Sequence, residues 1–317
     1  MKKVTKIEQL IIASILIITI FVSCKTNDKS EDKSIAKSEI NEPKPEKKEL
    51  SSEFKEYWYS GNAEITSYNL KQARYGQFRP GSTVLIYVTE PFLAGKQVKA
   101  DGVNPDNIPV LKLNSVKNYI TGIYPYSLMT SSFYPVHDDT HSVKLSFSAQ
   151  EWCGHIFAQL NNREKFEIQS NSYFESEADQ KFSLEKTHLE NELWNKIRID
   201  PSNLPTGDVS IIPSLEFLRQ THKELKAYKA TIKIENKNKT IQTYTLEYPE
   251  LERTLAIDFT TAFPHTIEGW RETYPSGHHG SKAELMTTTA EKNKSIKTPY
   301  WKQNTNSDLF LRDSLGL

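Results

Sequence analysis

The chain has 317 residues, and its 40 lysines and arginines balance its 40 aspartates and glutamates, so the formal net charge is zero. Proteins that bind nucleic acid need a basic face to neutralise phosphates, so this balance excludes nucleic acid as an expected partner. The length is sufficient for one large domain or two small ones.

The first 23 residues predict a signal peptide. Lys2, Lys3 and Lys6 precede an apolar run over residues 10–22, about 13 residues long, which is short of the roughly 20 that a spanning helix needs. The end of this run and the two residues after it, Phe21-Val22-Ser23-Cys24, resemble the lipobox of bacterial lipoproteins. The resemblance implies that Cys24 is lipidated and that the chain is anchored to the outer membrane of the cell envelope, on a face that the sequence leaves open.

Residues 24–52 predict a disordered tether. The segment has no aromatic residue and almost no aliphatic one, so it cannot bury enough apolar area to offset the entropy of ordering. Residues 53–317 are then expected to form a single β-rich domain, with possible sub-halves at 53–175 and 176–317. Lipidation of Cys24 leaves Cys153 without a disulfide partner.

The first half of this domain has mostly period-two patterns, which predict strands. We expect strands at residues 82–89, 108–113, 119–126, 127–136, 141–160, 167–174 and 181–189.

The second half predicts helices at residues 191–197 and 208–225, because Ile212, Leu215, Leu218 and Leu225 fall at roughly helical spacing. A hairpin is expected from 228–234 and 241–248, followed by strands at 251–259 and 283–289. The polar end, residues 301–317, is expected to dock through Leu309, Phe310 and Leu311.

Many antiparallel strands with one or two helices predict a mainly β, α+β fold. We expect a large antiparallel curved sheet that forms a lipocalin-like open barrel. The motifs DVSIIPSLEFLR (208–219) and FPHTIEGW (263–270) resemble the closing half of lipocalin-like periplasmic domains of unknown function, over residues 208–289.

The whole chain also resembles a group of uncharacterised envelope lipoproteins that are often labelled "septum formation inhibitor Maf". True Maf proteins are cytoplasmic nucleotide pyrophosphatases with an N-terminal serine-rich and double-arginine phosphate motif. The N-terminus of this chain carries no such motif. The resemblance therefore implies an envelope lipoprotein rather than a pyrophosphatase.

Cys153 and His155 in the stretch QEWCGHIF are the first candidate site. The apolar positions change from odd numbers before this stretch to even numbers after it, which predicts a β-bulge in one long strand. Cys153 is expected to be a small buried hydrophobe. The alternatives are a catalytic thiol that acts with His155 or Glu151, and half of a metal site.

Histidines form two further clusters. His137 and His141 flank two aspartates and could bind a metal, but a tight turn between strands is the favoured interpretation. His278 and His279 lie between glycines and are expected in an exposed turn. The sequence predicts no metal site and no cofactor.

Aromatic residues are concentrated in the first half and could line a cavity together with nearby hydroxyls such as Thr130 and Ser132. The candidate lining residues are Tyr59, Tyr124, Tyr126, Phe133, Trp152 and Phe157. We therefore expect a non-enzymatic envelope protein that binds a small apolar or amphipathic ligand, such as a lipid or glycan, or an envelope partner protein. An envelope hydrolase or transferase and a purely structural surface lipoprotein remain the alternatives.

Overall fold

The computed structural model describes residues 48–277 and 282–317. The expected signal peptide, Cys24, most of the tether and the His278-His279 pair lie outside the described residues. Lys48, the first described residue, donates its backbone N–H to the carbonyl oxygen of His137 at 2.8 Å, and Leu50 is buried. The described residues from 48 onwards belong to one structural unit, and the burial of Leu50 shows that its packing already includes residues before position 53.

A single sheet contains all sixteen strands of the described residues. Its bounds are β1 Ala63–Arg74, β2 Gln77–Leu93, β3 Val98–Lys99, β4 Asn107–Thr121, β5 Tyr124–Pro135, β6 Lys144–Glu151, β7 Gly154–Asn162, β8 Phe166–Ser172, β9 Gln180–Leu184, β10 His188–Leu189, β11 Gly207–Ile212, β12 Tyr228–Asn236, β13 Ile241–Tyr248, β14 Arg253–Thr260, β15 Ile267–Ser276 and β16 Glu284–Thr298. Neighbouring strands are antiparallel except β10 and β11. The predicted mainly β fold with one large antiparallel sheet is confirmed.

The strand order is β10-β11-β12-β13-β14-β15-β16-β1-β2-β4-β5-β6-β7-β8-β9, with β3 beside β2. The two end strands, β9 and β10, are separated in sequence by residues 185–187 alone. An extended chain of that length spans at most about 14 Å, so the sheet must curve until its ends approach each other. No hydrogen-bonded ladder joins these ends in the described chain, and the sheet is therefore not a closed barrel.

The predicted β-bulge near Trp152 is wrong. Ala149 pairs with Ile156 and Glu151 with Gly154, so Trp152 and Cys153 form a two-residue hairpin turn between β6 and β7. Paired residues in this hairpin have one odd and one even number, which moves the buried face from odd positions on β6 to even positions on β7. The strand expected over 119–126 is likewise two strands, joined at residues 122–123.

The helix predicted at 208–225 is confirmed only in its middle part, because its first residues form a strand. Residues 207–212 form β11, and only Leu215–Gln220 is helical. Val209 and Ile211 alternate with polar residues, and Pro213 favours an extended conformation at the residue before it. The helices are α1 Ser52–Trp58, α2 Glu190–Ile199, α3 Leu215–Gln220 and α4 Phe310–Ser314; α2 confirms the helix predicted at 191–197.

Helix α2 packs against the inner side of the curved sheet. Leu193 and Ile197 are buried in the main core, and Asn195 donates to the backbone of Leu111 on β4 at 2.8 Å. The charged residues of α2 are also buried and paired: the carboxylate of Glu190 accepts two bonds from Arg253, and Arg198 donates two to Glu64. The interior that a lipocalin-like barrel would leave open is therefore occupied by a helix.

The C-terminal segment docks through a different residue from those predicted. Leu309 and Phe310 are each 60% exposed, whereas Leu315 is buried against Ala63 and Ile65 of β1.

Candidate ligand groove

A groove with a volume of about 460 Å³ lies beside the last strand of the sheet. This β9–α3 groove is lined by Ser170, Phe182 and Leu184 from β8 and β9, by Leu215, Leu218 and Arg219 from α3, and by residues 222–226 after it. The side of β9 away from β8 has no strand partner in the described sheet, which leaves room for the groove.

The floor of the groove is apolar because of two local patterns. On β9, Phe182 and Leu184 alternate with exposed polar residues, so both face the same side. On α3, the Ser214 side chain accepts a bond from the backbone of Phe217 and caps the helix, and Leu215 and Leu218 then share a face. The β9 pair and the α3 pair of apolar side chains therefore line one common surface.

The rim of the groove is charged. Arg219 donates to Glu177 at 2.6 Å, and the ring of His222 lies 2.7 Å from the same carboxylate oxygen. The Arg219 guanidinium also stacks over Phe174, 4.4 Å from the ring centre. Burial lowers the pKa of Arg219, but a guanidinium remains charged at neutral pH. The groove therefore combines an apolar floor with a fixed cation at its edge.

A second cavity, of about 70 Å³, lies between α2, α3 and the inner side of the sheet. Its charged residues satisfy one another: Lys117 pairs with Glu216, and Arg253 bonds both Glu190 and Glu272. Thr130 and Ser132, two of the hydroxyl residues predicted to line a cavity, border this space. It is well below the roughly 300 Å³ of typical ligand pockets.

The predicted aromatic lining residues do not converge on one cavity. Tyr59 borders a separate open pocket near the end of α1. Tyr124 lies between Tyr126 and the exposed Trp152, with ring centres 5.8 and 6.4 Å away. Phe133 packs against Phe92 in a small cluster apart from the main core, and Phe157 is 40% exposed. None of these six residues lines the β9–α3 groove.

The expectation that Cys153 is buried is wrong, because it lies in a hairpin turn and is exposed. Its backbone N–H donates to Glu151 at 2.8 Å. A hydrogen bond from the Cys153 thiol to the Glu151 carboxylate, together with the charge of that carboxylate, raises the pKa of the thiol. His155 is also exposed, opposite Gln150 at the start of β7. A raised pKa leaves less thiolate, which disfavours Cys153 as a nucleophile.

The loop at 137–141 is the turn that was predicted between two strands. His137 contacts the carbonyl oxygen of Lys48 at 3.1 Å, whereas His141 lies 2.9 Å from the carboxylate of Glu192 on α2. The two histidines thus have different partners. Within residues 48–277 and 282–317, no group of three or more His, Cys, Asp and Glu side chains is placed to hold a metal ion.

Comparison with known proteins identified no matching family model, no matching curated protein and no matching solved structure. In the part of the chain that the structure describes, no helix has both the length and the apolar character needed to cross a bilayer.

Proposed function

We propose that this chain is a lipid-anchored protein of the cell envelope, and that its β domain binds an apolar or amphipathic ligand in the β9–α3 groove without catalysing a reaction. The groove itself carries the proposal. Its volume of about 460 Å³ falls within the roughly 300–1,000 Å³ of small-molecule sites, and its floor is apolar. Among the ligands considered from the sequence, these properties favour a lipid.

Anchoring through Cys24, in the outer membrane, is the second part of the proposal and is supported by the sequence motif alone. We also propose that the curved sheet acts as a lipocalin-like binding scaffold, but with the ligand in a different position. Because α2 occupies the interior, the ligand binds at the end of the sheet between β9 and α3 rather than in the centre.

Two tryptophan variants on one strand test the groove. Ser170 on β8 lines the groove, whereas its neighbour Gln169 is exposed on the opposite face. Residues 45–317 would be titrated with phenylnaphthylamine, a neutral apolar dye whose fluorescence rises in apolar surroundings. We expect saturable binding that Ser170→Trp weakens about tenfold or more, because the indole fills the groove, and that Gln169→Trp leaves unchanged.

Absence of saturable dye binding, or equal weakening by both variants, would contradict a ligand site in this groove. The first result would favour the structural alternative, a surface lipoprotein without a ligand.

A further inference from the structure

The Arg219 guanidinium at the rim of the groove has hydrogen-bond donors that the protein does not use. Its Nη1 group lies 2.6 Å from Glu177 and 3.1 Å from the ring of His222. Its Nε group is buried and has no acceptor among the described residues. A guanidinium has five N–H donors, and leaving a buried donor unpaired is unfavourable. The acceptors of the described residues therefore leave this guanidinium incompletely paired.

The charges around the groove also favour an anion. Its lining includes three cations, Arg219, Lys223 and Lys226, against two carboxylates, Glu177 and Glu224. Both carboxylates are already paired, Glu177 with Arg219 and Glu224 with Lys226. Lys223 is exposed and has no ion pair within the described ranges. Glu151, which is outside the groove lining, is another acidic group whose charge raises the pKa of Arg219. The lining thus has a surplus of positive charge.

The cation and the apolar floor are adjacent on one helix. Arg219 follows Leu218 directly and lies one turn after Leu215, and both leucines line the groove. The stack on Phe174 and the bond to Glu177 hold the guanidinium at this position. A ligand with an acyl or alkyl chain on the floor would therefore present its head group to Arg219.

We propose that the ligand of the β9–α3 groove is an amphiphile with an anionic head, a carboxylate or a phosphate, and that Arg219 binds this head. The proposal rests on the proposed function, since it names the class of ligand for the same groove. Arg219 is a binding residue in this account, and no covalent step is involved.

Displacement of bound phenylnaphthylamine from residues 45–317 tests the head group. The competitors are dodecanoate, dodecyl phosphate, dodecanol, dodecyltrimethylammonium and inorganic phosphate. We expect both anionic amphiphiles to bind at least tenfold more tightly than dodecanol, since hydrogen bonds to charged groups are the strong ones. The cationic amphiphile should bind most weakly, and inorganic phosphate should not displace the dye.

Arg219→Gln should reduce the preference for dodecanoate over dodecanol to near unity, because it weakens the binding of dodecanoate. Arg163→Gln is the matched control, because Arg163 is half-exposed, pairs with Glu167 and lies outside the groove. If Arg219→Gln does not fold, Lys223→Glu should lower the same preference several-fold.

The outcomes separate the two proposals. Equal binding of dodecanol and dodecanoate by the unmodified protein would overturn the anionic head group and leave the groove as an apolar site. If inorganic phosphate, which has no apolar chain, displaces the dye, the claim that the ligand is an amphiphile is overturned. If no competitor displaces the dye, or if the dye itself does not bind, the proposed function fails as well.

Discussion

Glu151 is the acidic side chain that contacts Cys153, the only cysteine in the described residues. Its carboxylate accepts the backbone N–H of Cys153, and its hydrogen bond with the thiol and its charge both oppose ionisation of that thiol. Exposure alone would allow Cys153 to react, but the anion next to it keeps the thiolate fraction low.

Replacing Glu151 with glutamine should therefore lower the pKa of the Cys153 thiol and speed its alkylation. Removing the negative charge favours the thiolate, so the rise of the alkylation rate with pH should move to lower pH. The measurement is the iodoacetamide rate between pH 6 and pH 10, with Glu167→Gln as a control on another strand. A thiol in the unmodified protein that reacts faster at neutral pH than free cysteine would contradict this prediction and favour the catalytic alternative.

The environment of Cys153 shows what a residue pattern can and cannot predict. The change from odd to even apolar positions around Trp152 was correctly identified, but both a bulge and a two-residue turn produce it. Neither Asn-Gly nor Asp-Gly occurs there, so the usual hairpin signal was missing. The exposure of Cys153 followed from the turn and could not be predicted without it.

At the scale of elements, α2 has the most unusual environment. Its residues 190–193 and 195–198 are buried, and they include four charged side chains. Arg198 is 1% exposed and donates to both carboxylate oxygens of Glu64, at 2.6 and 2.7 Å. Although burial of Glu64 by itself raises the pKa of this carboxyl, its bonds with Arg198 and Tyr57 hold the pKa below its ordinary value. The pair is therefore ionised in the folded protein.

Breaking this buried pair should be strongly destabilising. Glu64→Gln or Arg198→Met alone leaves one buried charge unpaired, and each should lower the free energy of unfolding by about 3–5 kcal/mol. The double variant should cost clearly less than the sum of the two single changes, because it leaves no unpaired charge. Urea unfolding of all four proteins measures this coupling.

The exposed pair Arg163 and Glu167 provides the control, since removing either residue should change stability by about 1 kcal/mol or less. Additive effects at Glu64 and Arg198 would contradict the assigned ion pair.

The existence of α2 could be predicted from residues 191–197, but its position could not. A helix with this many charges is expected at the surface. Its partners Glu64 and Arg253 lie on β1 and β14, far away in the sequence. Local patterns contain no information about such pairs. For the same reason, the interior was expected to be available for a ligand.

At the scale of the whole molecule, the candidate groove is a product of topology. Phe182 lies on β9, the strand at one end of the sheet. Leu218 lies on α3, which follows β11 in the chain, and β11 is the neighbour of β10 at the other end of the sheet. The sequence analysis predicted a strand around Phe182 and identified Leu218 from its apolar spacing. Their meeting depends on the curvature of the entire sheet, which brings β9 back towards β10. The aromatic residues of the first half were more conspicuous in the sequence, but they are distributed over several separate surfaces.

The account as a whole predicts a protein that carries an apolar or amphipathic molecule at one end of a curved sheet. Native mass spectrometry of residues 45–317, purified gently from the envelope of the native host, tests this claim most directly. We expect a discrete additional mass that denaturation releases, and that is absent from Ser170→Trp but present in Gln169→Trp. A clean mass without bound species in the unmodified protein would contradict a ligand-binding role.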